Sequence, residues 1–241
     1  LPGTSLAFGQ TRIIIPGRRR HAGKALPLSF AEAPYLTPLK STITLFRLFW
    51  KYWLRHHGWT LVGTIPADAP KMIIIAGPHT ASTDFFLGLA VRSVLRLGYI
   101  KFLGKAELFR PPFGFIFRWL GGTPVDRSGS RNMVQQVVDK FNKADRLVIA
   151  MSPEGTRQKV DRLRTGFYHI ALGANVPILM AAFDFANRKV IFDTPFYLSG
   201  NEQDDFLKIL RFLGPVQGKV PELGLTQLWQ EYEQKAGSKP V

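Results

Sequence analysis

The 241-residue chain sets 32 Lys and Arg against 17 Asp and Glu, a formal charge of +15, and 46% of its residues are apolar. That apolar share builds a core and excludes a disordered chain, while the charge calls for an anionic partner, either nucleic acid or anionic lipid. With no cysteine, disulfides, thiolate metal sites and a cysteine nucleophile are excluded.

The chain opens on Leu1 rather than Met, which leaves room for a segment ahead of it. Residues 1–39 carry Pro2, Pro16, Pro27, Pro34, Pro38 and the cluster Arg18-Arg19-Arg20, and predict an extended peripheral arm. Residues 41–57 predict a helix. Leu45, Phe46, Phe49, Trp50 and Trp53 recur at three- and four-residue spacing, with Arg47, Lys51 and Arg55 in a separate stripe. Such an amphipathic helix fits a membrane surface or a packed core face, and Gly58 is its expected stop. Beyond it, strands are predicted at Leu61–Ile65, Met72–Ala76, Ile100–Leu103, Leu147–Met151, Ile178–Phe183 and Val190–Phe192. Helices are predicted at Phe85–Leu97, Arg131–Lys143, Gly166–Gly173 and near 202–213 and 225–235. This alternation predicts an α/β fold: a mixed, largely parallel central sheet flanked by helices, with an N-terminal amphipathic helix. Residues 40–241 read as one domain. Charges such as Arg92, Arg118 and Asp184 interrupt the longest apolar runs, so no membrane-spanning helix is expected.

In such a sheet, functional residues gather in loops after the carboxyl ends of strands. Two loops qualify: Gly77-Pro78-His79-Thr80-Ala81-Ser82-Thr83-Asp84 and Ser152-Pro153-Glu154-Gly155-Thr156-Arg157. Asp84 can orient one imidazole nitrogen of His79 and leave the other as a base near neutral pH. This is two-thirds of a catalytic triad, and the attacking hydroxyl then has to come from a substrate. The bland alternative is an acid that favours a helix N-terminus. Ser82 lacks the Gly-x-Ser-x-Gly elbow of a nucleophile and fits a helix cap better. Gly155 lets backbone amides approach an anion and Arg157 offers a fork for phosphate, or else Glu154 simply pairs with Arg157. Gly121-Gly122-Thr123-Pro124-Val125-Asp126-Arg127 reads as a turn into a short strand ending on a cation.

In this order the pieces resemble the glycerophospholipid acyltransferases, the family of the lysophosphatidic acid (1-acylglycerol-3-phosphate) acyltransferases. His79 and Asp84 match the His-x4-Asp block, and Gly121 to Arg127 the Gly-x-x-Pro-Val-Asp-Arg block. Pro153 to Arg157 match the Pro-Glu-Gly-Thr-Arg block, and Val176-Pro177-Ile178 the Val-Pro-Ile block. The resemblance implies transfer of a fatty acyl group from a thioester to a lipid-precursor hydroxyl. His79 would be the general base and Asp84 its orienter, with Gly155 amides helping to hold the oxyanion. Arg127, Glu154, Gly155, Thr156, Arg157 and Lys105 would bind the acceptor and its phosphate. It implies no metal and no bound cofactor, with acyl-CoA or acyl carrier protein as cosubstrate. Departures at Thr123, Ser152, Gln158 and Arg164 leave the acceptor open among lysophosphatidic acid, another lysophospholipid, glycerol phosphate and an amino lipid. Such chemistry turns the basic charge toward an anionic bilayer rather than nucleic acid. Phe46, Phe49, Trp50 and Trp53, with the aromatic segment 109–119, are the expected lipid contacts. The expected location is peripheral, on the cytoplasmic face of a membrane.

Overall fold

The structure, a computed structural model, describes residues 40–66, 68–125 and 130–237. The predicted arm 1–39 and the predicted phosphate ligand Arg127 lie outside the described residues. The chain begins with α1 (Lys40–His56), β1 (Thr60–Val62), β2 (Lys71–Gly77), α2 (Thr83–Val94) and β3 (Ile100–Lys105). It continues through α3 (Gly114–Trp119), β4 (Gly122–Val125), α4 (Ser130–Lys143), β5 (Leu147–Met151), α5 (Gly166–Ala174) and β6 (Ile178–Asp184). β7 (Lys189–Phe192), α6 (Glu202–Leu213) and α7 (Thr226–Gly237) complete it.

The strands form one seven-stranded sheet in the order β1-β7-β6-β2-β5-β3-β4. β6, β2, β5, β3 and β4 are mutually parallel, whereas β7 runs against β6 and carries β1 parallel to itself. The sheet is therefore mixed and largely parallel, as expected. The central strands read as unbroken apolar runs because helices cover both faces. Every residue of β6 is buried. Alternate side chains divide between two cores. Ile73, Ile75, Ile149, Ile178 and Met180 pack against Phe141, Phe167, Ile170, Phe206 and Leu210 of α4, α5 and α6. On the other face Met72, Ile74, Val148, Leu179 and Phe183 pack against Trp50 and Leu54 of α1 and Leu87, Ala90 and Val91 of α2.

The differences from expectation are local. β1 stops at Val62 rather than Ile65 because Gly63 turns at φ +81. α2 begins two residues early, at Thr83, and ends three early, at Val94, and the chain leaves it through Arg96 at φ +59. The sequence reading missed α3 and the single turn Ala106–Phe109. The run Phe109-Arg-Pro-Pro-Phe-Gly-Phe-Ile-Phe is apolar almost throughout and shows no helical period. Among the described residues, no helix is long and apolar enough to cross a membrane.

Trp50 corrects the lipid-contact expectation. It is 8% exposed and belongs to the core, whereas Leu45, Leu48, Phe49 and Tyr52 of the same helix are at least half exposed. The apolar positions of α1 thus wrap beyond one face: Trp50 and Leu54 are buried in the core, and the expected lipid contacts Phe46 and Trp53 are half-buried and packed against it.

Candidate active site

β2 and β5 are neighbours in parallel register, with Ile75 opposite Met151. The loops that follow them therefore emerge side by side at the carboxyl edge of the sheet. β3 and β4 end at that edge too, with Lys105 opposite Val125.

In the first loop, His79 Nδ1 stands 3.1 Å from Asp84 Oδ2. The same oxygen accepts the backbone N–H groups of Thr80 at 2.7 Å and Ala81 at 2.8 Å. Asp84 is buried in the first turn of α2, where the positive end of the helix favours a carboxylate. An ionised carboxylate only accepts, so a neutral imidazole in this place carries its proton on the nitrogen facing Asp84 and leaves the lone pair on Nε2. The His side chain is 26% exposed and that of Asp84 is not exposed at all. The histidine and the acid are thus paired as the spacing predicts.

A second buried carboxylate holds the loop from below. Glu154 Oε1 accepts the backbone N–H of His79 at 2.8 Å, and its Oε2 accepts the Ser152 hydroxyl at 2.5 Å. The carboxylate is buried and makes no ion pair with Arg157, so the predicted pairing of Glu154 with Arg157 is not formed. Burial pushes the Glu154 carboxyl above the ordinary glutamate value, against the pull of the Ser152 and His79 hydrogen bonds. A raised native pKa means that the folded chain binds the proton more tightly than the unfolded one. Stability from this group is then present below the ordinary value and is lost as pH rises through the native one. Wild type is accordingly expected to gain stability relative to Glu154→Gln as pH falls from about 7 to about 5. Paired urea melts at the two pH values check this, and a pH-independent difference would contradict it.

Arg157 reaches across to donate from Nη1 to Ser82 Oγ, joining the two loops. Ser82 makes no side-chain cap bond to α2, contrary to expectation, because Asp84 already takes the loop amides and the hydroxyl accepts from Arg157. Gly155 turns at φ +67, and an added Cβ would stand 2.9 Å from Arg164 Cγ. Its exposed amide sits on the same turn as Thr156, whose hydroxyl accepts from the Gln158 N–H. Lys105 closes β3 at the same edge. The Val176-Pro177-Ile178 block lies at the opposite edge. Pro177 O accepts from the Ile73 N–H and Ile178 opens β6, so that block is architectural.

Sequence reasoning missed two supports. Buried Thr80 accepts the Val220 N–H at 3.1 Å, which ties the segment after α6 to the histidine loop. Ser152, read only as a departure from pattern, caps Glu154. A hydroxyl two residues before a buried acid was the available signal.

His79 and Asp84 border an apolar cavity of about 270 Å³ that runs under α2 along the sheet, past Ile74, Phe85, Leu89 and Phe183. A base at the mouth of an apolar cavity can act on a polar centre attached to a long hydrocarbon.

A model of the Acyltransferase family matches residues 62–183, just over half the chain and the span holding both loops and most of the cavity wall. The chain belongs to the acyltransferase family. The 1-acyl-sn-glycerol-3-phosphate acyltransferase of Salmonella typhimurium is 32% identical over 130 residues, covering 52% of this chain and 49% of that protein. The proteins of that name from Haemophilus influenzae and Escherichia coli are each 33% identical, over 36% of this chain and 39% and 37% of theirs. The chain spans about half the length, or less, of these curated relatives. The crystal structure of the 1-acyl-sn-glycerophosphate (LPA) acyltransferase PlsC from Thermotoga maritima shares 15% identity over 74% of this chain and 81% of that one, with a TM-score of 0.47. Both loops at the carboxyl edge of the sheet and the buried Glu154 clamp fall inside the family segment.

Proposed function

We propose that the protein transfers a fatty acyl group from a thioester to the free hydroxyl of a lysophosphatidic-acid-like acceptor. The observation that carries this reading is the Asp84-oriented imidazole of His79 at the mouth of an apolar cavity. His79 Nε2 takes the acceptor's hydroxyl proton as the oxygen attacks the thioester carbonyl carbon. The oxyanion forms near the exposed amides of the Gly155 turn, and Asp84 stabilises the imidazolium. Collapse breaks the C–S bond, and the departing thiolate takes the proton back from His79. Donor and acceptor are both substrates, with acyl-CoA or acyl carrier protein supplying the thioester. The acyl chain occupies the apolar cavity.

Arg157, together with Arg127 and Lys105, grips the acceptor phosphate. Arg157→Lys is expected to raise the acceptor KM about tenfold while donor KM changes little, because the planar fork is lost though the charge stays. Steady-state kinetics with each substrate varied in turn check this. Equal loss toward an acceptor without phosphate would make Arg157 structural.

The enzyme acts at a bilayer surface. On α1, Ile43, Leu45, Leu48, Phe49 and Tyr52 are exposed, as are Phe113, Phe115 and Trp119 around α3. Phe46 and Trp119 touch at 5.3 Å between ring centroids and join the two groups into one apolar band, rimmed by Arg47, Lys51 and Arg55. A band of this kind marks an interaction surface, and cations beside aromatic rings suit anionic headgroups. The decisive experiment is incubation with a labelled acyl thioester and a panel of acceptors: lysophosphatidic acid, other lysophospholipids, glycerol phosphate and an amino lipid. Labelled phosphatidic acid is the expected main product, and a different acylated lipid would reassign the acceptor.

A further inference from the structure

A second cavity, of about 520 Å³, lies between α1, the end of α2 and the end of α3. Arg47, Arg92 and Arg96 line it together with Ile43, Phe46 and Trp119, and no acidic residue does. Among the described residues none of the three guanidinium groups has a carboxylate partner. Arg92 is fixed by donating from Nε to Ile100 O at 2.9 Å and from Nη2 to Gly98 O at 2.6 Å. Gly121, at φ +96, is the residue that fits against it, since a Cβ there would stand 2.8 Å from Arg92 Nη2. The Gly98 and Ile100 carbonyls account for Arg92, and the carboxyl end of α2 suits Arg96. They do not account for Arg47, which enters the same space from a different helix. Three like charges around one water-accessible space repel one another, and an anion held by their forks relieves that repulsion.

We propose that Arg47, Arg92 and Arg96 form a phosphate-binding site, separate from the His79–Asp84 centre, that takes the headgroup of an anionic phospholipid. The lipid is favoured over a free anion because Ile43, Phe46 and Trp119 make the remaining wall apolar and continue into the exposed band. A free phosphate would use the arginines and leave that wall unmatched. This inference rests on the reading that the band lies on a bilayer.

The test is calorimetric titration of the full chain with dihexanoylphosphatidylglycerol below its micelle concentration, and separately with inorganic phosphate. The wild type should saturate at one lipid per chain, with inorganic phosphate at least about tenfold weaker. Arg47→Gln and Arg96→Gln should each weaken lipid binding about tenfold, and the pair far more, since each removes a charge-assisted hydrogen bond. Both side chains stand at the surface of the cavity, so unchanged melting by circular dichroism is expected. Lys143→Gln, an equal charge loss on the opposite face of the sheet, should leave the titration unchanged. The proposal is overturned if the double variant binds like wild type, if Lys143→Gln weakens binding as much, or if inorganic phosphate binds as tightly as the lipid. Vesicle flotation separates the two readings. Saturable titration without flotation keeps this site and removes the bilayer reading, while flotation without saturation removes the site alone.

Discussion

Replacing His79 by alanine is expected to slow acyl transfer by about 10² to 10⁴-fold, the usual loss when a general base is removed, with the fold intact. The side chain is partly exposed, and among the described residues its hydrogen bond is to Asp84. The loop that carries it is held independently, by Glu154 on the His79 amide and by Asp84 on the next two amides. Asp84→Asn should be similarly severe for a different reason. It removes the charge that stabilises the imidazolium and replaces an acceptor-only group with one that also donates, so the ring loses its fixed tautomer. Circular dichroism and a urea melt check the fold, and a folded His79→Ala protein with near-normal turnover would remove the mechanism.

Trp50→Ala is expected to cost about 3–5 kcal/mol of stability, as truncation of a buried aromatic does, and to lower Tm by on the order of 10 °C. Trp50 sits among Met72, Ile74, Leu87 and Val91, where its removal leaves a void between α1 and the sheet. Changing Leu45, Leu48 and Phe49 to serine should have the opposite pattern. These side chains are exposed, so melting should barely move while flotation with anionic vesicles falls. Activity on a bilayer-embedded acceptor should fall with it, and activity on a short-chain soluble acceptor should survive. A folded triple variant that floats like wild type would show that α1 is not the anchor.

These contrasting outcomes for α1 show where the sequence stops being informative. The spacing of Leu45, Phe46, Phe49, Trp50 and Trp53 specifies a helix. It does not say which of them meets the sheet, because lipid and protein interior select the same side chains. α3 was hidden for a related reason, since a segment apolar at nearly every position has no period to read. The strands were legible because Met72–Ala76 and Ile178–Phe183 are long apolar runs with punctuation at their ends. His79 and Asp84 were legible because their pairing is local, five residues apart across one helix start. The Glu154 bond to the His79 amide and the Arg157 bond to Ser82 each span 75 residues. They depend on β2 and β5 being neighbours, which the chain order does not reveal.

The central claim is direct attack by the acceptor's hydroxyl, with His79 as base and no acyl group carried on the protein. Rapid mixing with an acyl thioester, with thiol release followed from the first turnover, tests it most directly. Without acceptor the account predicts no thiol burst, and with lysophosphatidic acid it predicts one thiol released for each lipid acylated, in wild type but not in His79→Ala. A thiol burst stoichiometric with protein in the absence of acceptor would contradict it, because the acyl group would then have been transferred to the protein first.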